Sequence, residues 1–281
     1  MLREIIMEPM NAASATLTPA TMENLYNIFN ILESEIDNKI MSYRELQEFF
    51  NSKLGISTSS IRGWLPVLEK SGFVTYRERV KKDNGFYEYR SKDISLNTMI
   101  QPLGKVYKII LDSILKLFDS SSTRYKFENV YEMQDKSVSK DSEQLICLFQ
   151  NLLFNLNTIA LINRFKYMEE DDDTILCIDY LKFCNKYTSI DTKEFLYMIA
   201  TKQTGLNMYL DEIKEDIELY RKNEIDFNIK VRGSKSKPVA EGYVRSFLRE
   251  CNLIIPYGVS KGRFKINDER RNIVDYLIQG E

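Results

Sequence analysis

The chain has 281 residues, of which 43% are hydrophobic, 12% aromatic and 28% charged, with eleven glycines and six prolines. That composition suits one large apolar core or two modest ones and excludes disorder, collagen-like repeats and linker sequence as the main state. There is no histidine, which removes Ser-His and Cys-His catalytic pairs, histidine-based zinc sites and histidine-dependent nucleases, and the net charge is only −2.

Met1–Ala20 is small, polar and punctuated by proline, and is expected to be an arm, with Arg3 its basic side chain. Leu25, Ile28, Phe29, Leu32 and Ile36 then recur at helical spacing within Thr21–Asn38. Ser42 with Glu45 three residues on forms a capping-box signature that opens a helix over Tyr43–Lys53, and Gly55 ends it. A second helix is expected from Ser57–Ser60 to Lys70, stopped by Gly72. Phe73–Arg79 and Gly85–Arg90 read as strands joined through Asn84-Gly85, a hairpin-turn pair. Val106–Phe118 is amphipathic, Ser120–Thr123 is a linker candidate, and helices are expected over Asp141–Lys166 and Leu176–Tyr187. Leu145–Ile162 is broken by Gln150, Asn151, Asn155 and Asn157, so it predicts a buried helix and no membrane span. A capped start at Ser189 or Asp191 leads to a helical pattern reaching Tyr220. After Val231–Lys237, rich in Gly, Ser, Lys and Pro, come a helix over Val239–Cys251, a hairpin from Ile254–Tyr257 and Arg263–Ile266, and a closing helix over Glu269–Ile278.

Helix, helix, turn, helix, hairpin is the order of a winged helix, and the C-terminal part repeats helix and wing. The expected fold is therefore mostly α with small β-hairpins, an α+β chain with two winged-helix subdomains. Its expected divisions are an arm at 1–20, a first subdomain at 21–123, and a helical connector with the second subdomain at 124–281. Charge follows this plan. Residues 53–92 hold nine Lys/Arg against four Asp/Glu, and 221–271 hold thirteen against six, while 128–219 hold nine against eighteen. Two basic surfaces are separated by an acidic one.

Duplex DNA is the expected partner, because a helix fits the major groove and Arg, Lys and hydroxyl groups meet bases and phosphates there. In the first subdomain the candidates are Ser57, Thr58, Ser59, Ser60, Arg62 and Lys70 on the helix, with Arg77, Arg79, Lys81, Lys82, Asn84, Tyr87 and Arg90 on the wing. Trp64 fits the core better than an interface. In the second subdomain Tyr243, Arg245, Ser246 and Arg249 lie on the helix, and Gly242 would let a backbone come close. Arg232, Ser234, Lys235, Ser236 and Lys237 precede that helix, and Lys261, Arg263 and Lys265 mark the wing. Metal-dependent cleavage has weaker carriers. Asp171–Asp173 is a run of acids that point to different sides, and Glu212 with Lys214 lies in a helical stretch. The four cysteines, Cys147, Cys177, Cys184 and Cys251, form no CxxC pair and are expected to be reduced, mostly buried thiols in a cytoplasmic protein.

The segment IDTKEFLYMIATKQTGLNMYLDEIKEDIELYRKN, followed by KSKPVAEGYVRSFLRECNLIIPYGVSKGRFKINDERRNIVDYLI, resembles the second recognition subdomain of type IIS restriction endonucleases. The AlwI-like enzymes belong to that family, with FokI and BpuJI as more distant parallels. The earlier GISTSSIRGWLPVLEKSGFV and its hairpin are similar to their first subdomain, so the resemblance covers roughly residues 40–90 and 188–278. It implies winged-helix subdomains that read a short asymmetric site as a monomer. Ser57–Lys70 and Tyr243–Arg249 would be the reading helices, with no cofactor needed for binding. Cleavage, with Mg²⁺, would belong to a separate nuclease domain or subunit, since the sequence stops at Glu281 about where the family's recognition half gives way to the nuclease. A two-winged-helix regulator or replication initiator, a Mg²⁺ nuclease and an adaptor working through the acidic middle are the rival readings.

Overall fold

The starts of three helices, at Tyr43, Thr58 and Thr192, fall where the sequence supplies caps, as a computed structural model of the chain shows. It describes residues 2–9, 19–36, 40–75, 79–81, 87–89, 96–97, 99–117, 140–167, 172–205, 211–232, 240–258 and 262–279. In chain order these form β1 (Leu2–Met7), α1 (Pro19–Ile31) with a π-helical turn at Leu32–Ile36, β2 (Ile40–Met41), α2 (Tyr43–Leu54) and α3 (Thr58–Lys70). Next come β3 (Val74–Thr75), β4 (Arg79–Lys81), β5 (Tyr87–Tyr89), β6 (Leu96–Asn97), β7 (Met99–Ile100), α4 (Pro102–Leu117) and α5 (Lys140–Tyr167). The chain continues with α6 (Asp172–Tyr187), α7 (Thr192–Gln203), α8 (Asp211–Arg221), β8 (Asp226–Val231) and α9 (Ala240–Glu250). It closes with β9 (Ile254–Pro256), β10 (Phe264–Ile266), a 3₁₀ turn at Asp268–Arg270 and α10 (Arg271–Gln279). The architecture is mostly helical with small two-stranded sheets, as the α+β expectation requires.

Internal contacts divide the chain into two units. An inserted unit holds Ala13–Ile175 with Arg249–Cys251, and a discontinuous unit holds Met1–Ala12, Leu176–Leu248 and Asn252–Glu281. The sequence division at 123–124 is thus not where contacts part, because α5 belongs with the elements before it. Residues 2–7 are also not a free arm. They form β1, paired in parallel with β8 from Leu2↔Asp226 to Met7↔Val231.

In the inserted unit, α1 supplies Met22, Leu25, Ile28 and Phe29 to one core, with Leu32 and Ile36 from its π turn. Leu46 and Phe50 of α2, Ile61, Leu65 and Leu68 of α3, Tyr107, Ile110, Leu111 and Ile114 of α4, and Leu153, Leu156 and Ala160 of α5 complete it. Phe73 stacks on Tyr107 at 4.5 Å between ring centroids, and Phe29 meets Tyr107 edge-on at 5.9 Å. The start of α4 lies so close to this layer that only glycine fits: a Cβ on Gly104 would sit 2.1 Å from the Phe73 carbonyl oxygen. Gly104→Ala must therefore move backbone, at an expected cost of about 1–3 kcal/mol. Urea unfolding followed by tryptophan emission checks this, since the one tryptophan, Trp64, packs against this core.

The discontinuous unit places α7 against β1 and β8. Phe227 of β8 lies between two rings, Tyr197 at 4.2 Å and Tyr220 at 4.8 Å. Tyr180 and Phe195 pack at 4.8 Å beside Phe183. Cys177 and Cys184 here, and Cys251 of the inserted unit, are buried and in no disulfide; Cys147 lies outside the residues whose side chains are described. No helix among the described residues is long and apolar enough to cross a membrane.

Candidate nucleic-acid interface

The α2–α3 connection is built by local chemistry. The Glu45 amide donates to the Ser42 hydroxyl, and the Ser42 amide donates to the Glu45 carboxylate at 2.7 Å, which fixes the start of α2. That hydrogen bond with the Ser42 backbone holds the exposed Glu45 carboxyl below the ordinary range. Gly55 ends α2 at φ 66°, a left-handed conformation natural to glycine, with its amide on Asn51 O. Asn51 then donates through its side chain to Ile56 O, closing the turn. Ser57 caps α3 by accepting from the Ser60 amide, and its hydroxyl lies 2.9 Å from that of Ser59 and 3.0 Å from that of Ser60. α3 ends in a Schellman arrangement, with Phe73 N on Leu68 O and Gly72 N on Glu69 O.

The faces of α3 divide cleanly. Ile61, Leu65 and Leu68 are buried, while Ser57, Ser59 and Arg62 are exposed and Thr58, Ser60 and Trp64 are half-buried. The hydroxyls and Arg62 therefore share the outer side of the helix start. β4 pairs antiparallel with β5, Arg79 opposite Tyr89 and Lys81 opposite Tyr87. β2 pairs with β6, so a strand that precedes α2 is tied to one beyond the ribbon. Lys70 ends α3 and Arg79 and Lys81 lie on β4, with their side chains outside the described set, as are Arg77, Lys82, Asn84 and Arg90 altogether.

The discontinuous unit distributes its cations differently from the sequence expectation. Arg245 and Arg249 are four apart and both half-buried, as Gly242 and Ser246 are; Tyr243 is exposed, while Glu241, Val244, Phe247 and Leu248 are buried. Arg249 groups with the inserted unit. Arg245 donates to Thr192 Oγ1 at 2.9 Å, lies 3.2 Å from Glu241 Oε1, and rests over the Phe264 ring at 5.4 Å. Arg263, expected on an open wing, donates instead to Glu194 at 2.9 Å and to Asp191 at 3.0 Å. The hairpin β9–β10 is fastened at the same place, because Ile190 and Phe264 exchange both backbone hydrogen bonds. Lys265 pairs with Asp268, Arg232 with Glu8, and Arg3 with Asp216. Ser234, Lys235, Ser236, Lys237 and Lys261 lie outside the described residues.

Glu194 is the centre of this cluster. Its carboxylate is completely buried and also accepts from Arg221 Nε at 2.7 Å, while it caps α7 reciprocally with Asp191. Arg221 further donates to the Tyr187 and Ser189 carbonyls. Burial pushes the Asp191 and Glu241 carboxyls up. Burial works against the charge of Arg263, but its hydrogen bonds to Glu194 and the nearby carboxylates hold it above its ordinary value. Nothing in the sequence reading pointed to Arg221; the available signal was the Asp191-x-x-Glu194 box, whose buried acid needed partners.

Among the described residues no group of three or more Cys, Asp or Glu side chains is arranged to hold a metal ion. Glu212 and Lys214 lie within α8, and Asp172 and Asp173 begin α6. No protein-family profile matches the chain, and no curated protein matches its sequence.

Proposed function

We propose that the chain binds double-stranded DNA sequence-specifically, as the target-recognition module of a type IIS restriction endonuclease whose nuclease domain is separate and uses Mg²⁺. The observation that carries this is the outer side of α3, where Ser57, Ser59 and Arg62 sit at the helix start beside a turn closed by Gly55 and Asn51. Hydroxyls and an N-terminus suit phosphate oxygens, and an Arg fork suits a guanine edge. The strand pairing β2–β6 and the ribbon β4–β5 support a winged helix around α2 and α3. α9 is the second reading helix, through Tyr243 and Ser246 more than through Arg245, whose guanidinium is occupied within the protein.

Selection of bound duplexes from a random pool, with Mg²⁺ present, tests this. A short, asymmetric, uncut consensus is the expected result. Arg62→Ala should then relax one base position by about 1–3 kcal/mol, whereas uniform weakening on every sequence would make Arg62 a phosphate contact. A palindromic or repeated element would favour a regulator instead. No enrichment even at low salt would end the DNA proposal.

A further inference from the structure

The long helix α5 makes its core contacts through Leu153, Leu156 and Ala160 and turns Leu148, Asn151, Leu152, Asn155 and Ile159 outward. The three apolar ones keep 55%, 41% and 42% of their surface open. With Asn155 between them, Leu148, Leu152 and Ile159 make a series at spacings of four, three and four, the alternation of a two-stranded helical seam. The helix around them also lacks charge. Residues 144–163 contain no Asp, Glu, Lys or Arg, in a chain where 28% of residues are charged. The solvated side of a surface helix ordinarily carries such residues.

We propose that this side of α5 pairs, parallel and in register, with the same side of a second copy of the chain. Asn155 selects that occupant. An amide enclosed in an apolar seam needs a donor and an acceptor directly opposite. In-register pairing sets Asn155 against Asn155, so each side chain supplies what the other lacks, while Leu148, Leu152 and Ile159 meet their own copies. An antiparallel arrangement that keeps all four residues in the seam brings Leu152 against the amide, and one centred on Asn155 takes the apolar residues out of the seam. The missing charge points the same way: two identical faces in parallel register oppose every charge to its like, and a face without charge escapes that repulsion. A single polar seam residue fixes register at some cost in strength. Leu148 to Ile159 spans only about 17 Å of helix, less than an interface of about 800 Å² per partner requires. The dimer is therefore dissociable.

Pairing is independent of DNA and is measured without it, by sedimentation of the whole chain from low micromolar to several hundred micromolar. A dimer that grows with concentration is the expected result. The double substitution Leu152→Glu with Ile159→Glu should leave a monomer throughout that still unfolds cooperatively, since neither side chain is part of the buried core. Asn155→Asp should weaken pairing about tenfold or more at neutral pH by opposing two carboxylates, with recovery on acidification. A chain monomeric at every concentration, or a dimer that survives the two glutamates, overturns the proposal. Indifference to Asn155→Asp overturns the parallel register.

Discussion

Glu194→Ala is expected to cost about 3–5 kcal/mol and to unfold the discontinuous unit while the inserted unit persists. The carboxylate is fully buried and holds the guanidinium groups of Arg221 and Arg263. Truncation removes the buried partner of both cations, of which Arg263 is the more enclosed and Arg221 is partly in water, and it strips α7 of half of its capping box. The loss is comparable to much of a domain's whole stability, about 5–15 kcal/mol. Glu194→Gln keeps an acceptor for the Asp191 amide and should cost less than alanine but remain damaging, because a neutral amide cannot balance two cations. The exposed Arg44–Glu48 pair on α2 makes the control, where removal should change stability by less than about 0.5 kcal/mol. Amide exchange resolves the units separately, and Trp64 emission follows the inserted one. A change of under about 1 kcal/mol for Glu194→Ala would mean that water reaches the cluster freely.

Removing residues 2–7 should be at least as damaging to the discontinuous unit. Met7 is 1% exposed, and its loss alone is expected to cost about 2–5 kcal/mol as a cavity. The same deletion takes away Arg3, the ion partner of Asp216, whose side chain is only 9% exposed and which also accepts from the Tyr197 hydroxyl. It also opens the whole β8 edge. Asp216→Asn in the shortened chain separates these contributions: recovery of about 1 kcal/mol or more assigns part of the loss to the stranded carboxylate. Thermal unfolding should show an unaltered transition for the inserted unit in both forms. A single transition lowered for both units would contradict the division.

Helix ends were legible because their chemistry is local. Ser42 with Glu45, Asp191 with Glu194, and the stops at Gly55 and Gly72 each act within a few residues of themselves. β1 and β8 were not legible in that way. Asp226–Val231 does alternate, with Phe227 inward, but its partner is not a neighbour joined by a turn; it is a parallel strand at the other end of the sequence. Parallel pairing carries no hairpin signature. The candidate site divides likewise. Ser57, Ser59 and Arg62 sit outward on α3, as the helix period required. Arg245 looked outward only because it was phased with Arg249. Its phase relative to Glu241, one turn earlier and buried, was the better guide, since a buried acid draws the nearest cation inward. Arg263 could not be assigned from spacing, because its partners lie 69 and 72 residues away.

The β1–β8 pairing also sets a schedule for synthesis. Strand β1 is made well before its partner, because the last residue of β1 and the first of β8 stand 219 positions apart. At about 5–20 residues per second, β1 waits on the order of 10–45 seconds before its partner exists. The inserted unit, whose core through α5 is already translated, can be formed by then. During that interval Leu2, Ile5, Ile6 and Met7 form a short apolar strand with open hydrogen-bonding edges beside a folding neighbour. Chaperone occupancy of nascent chains should therefore concentrate on this N-terminal segment and fall once β8 has cleared the ribosome.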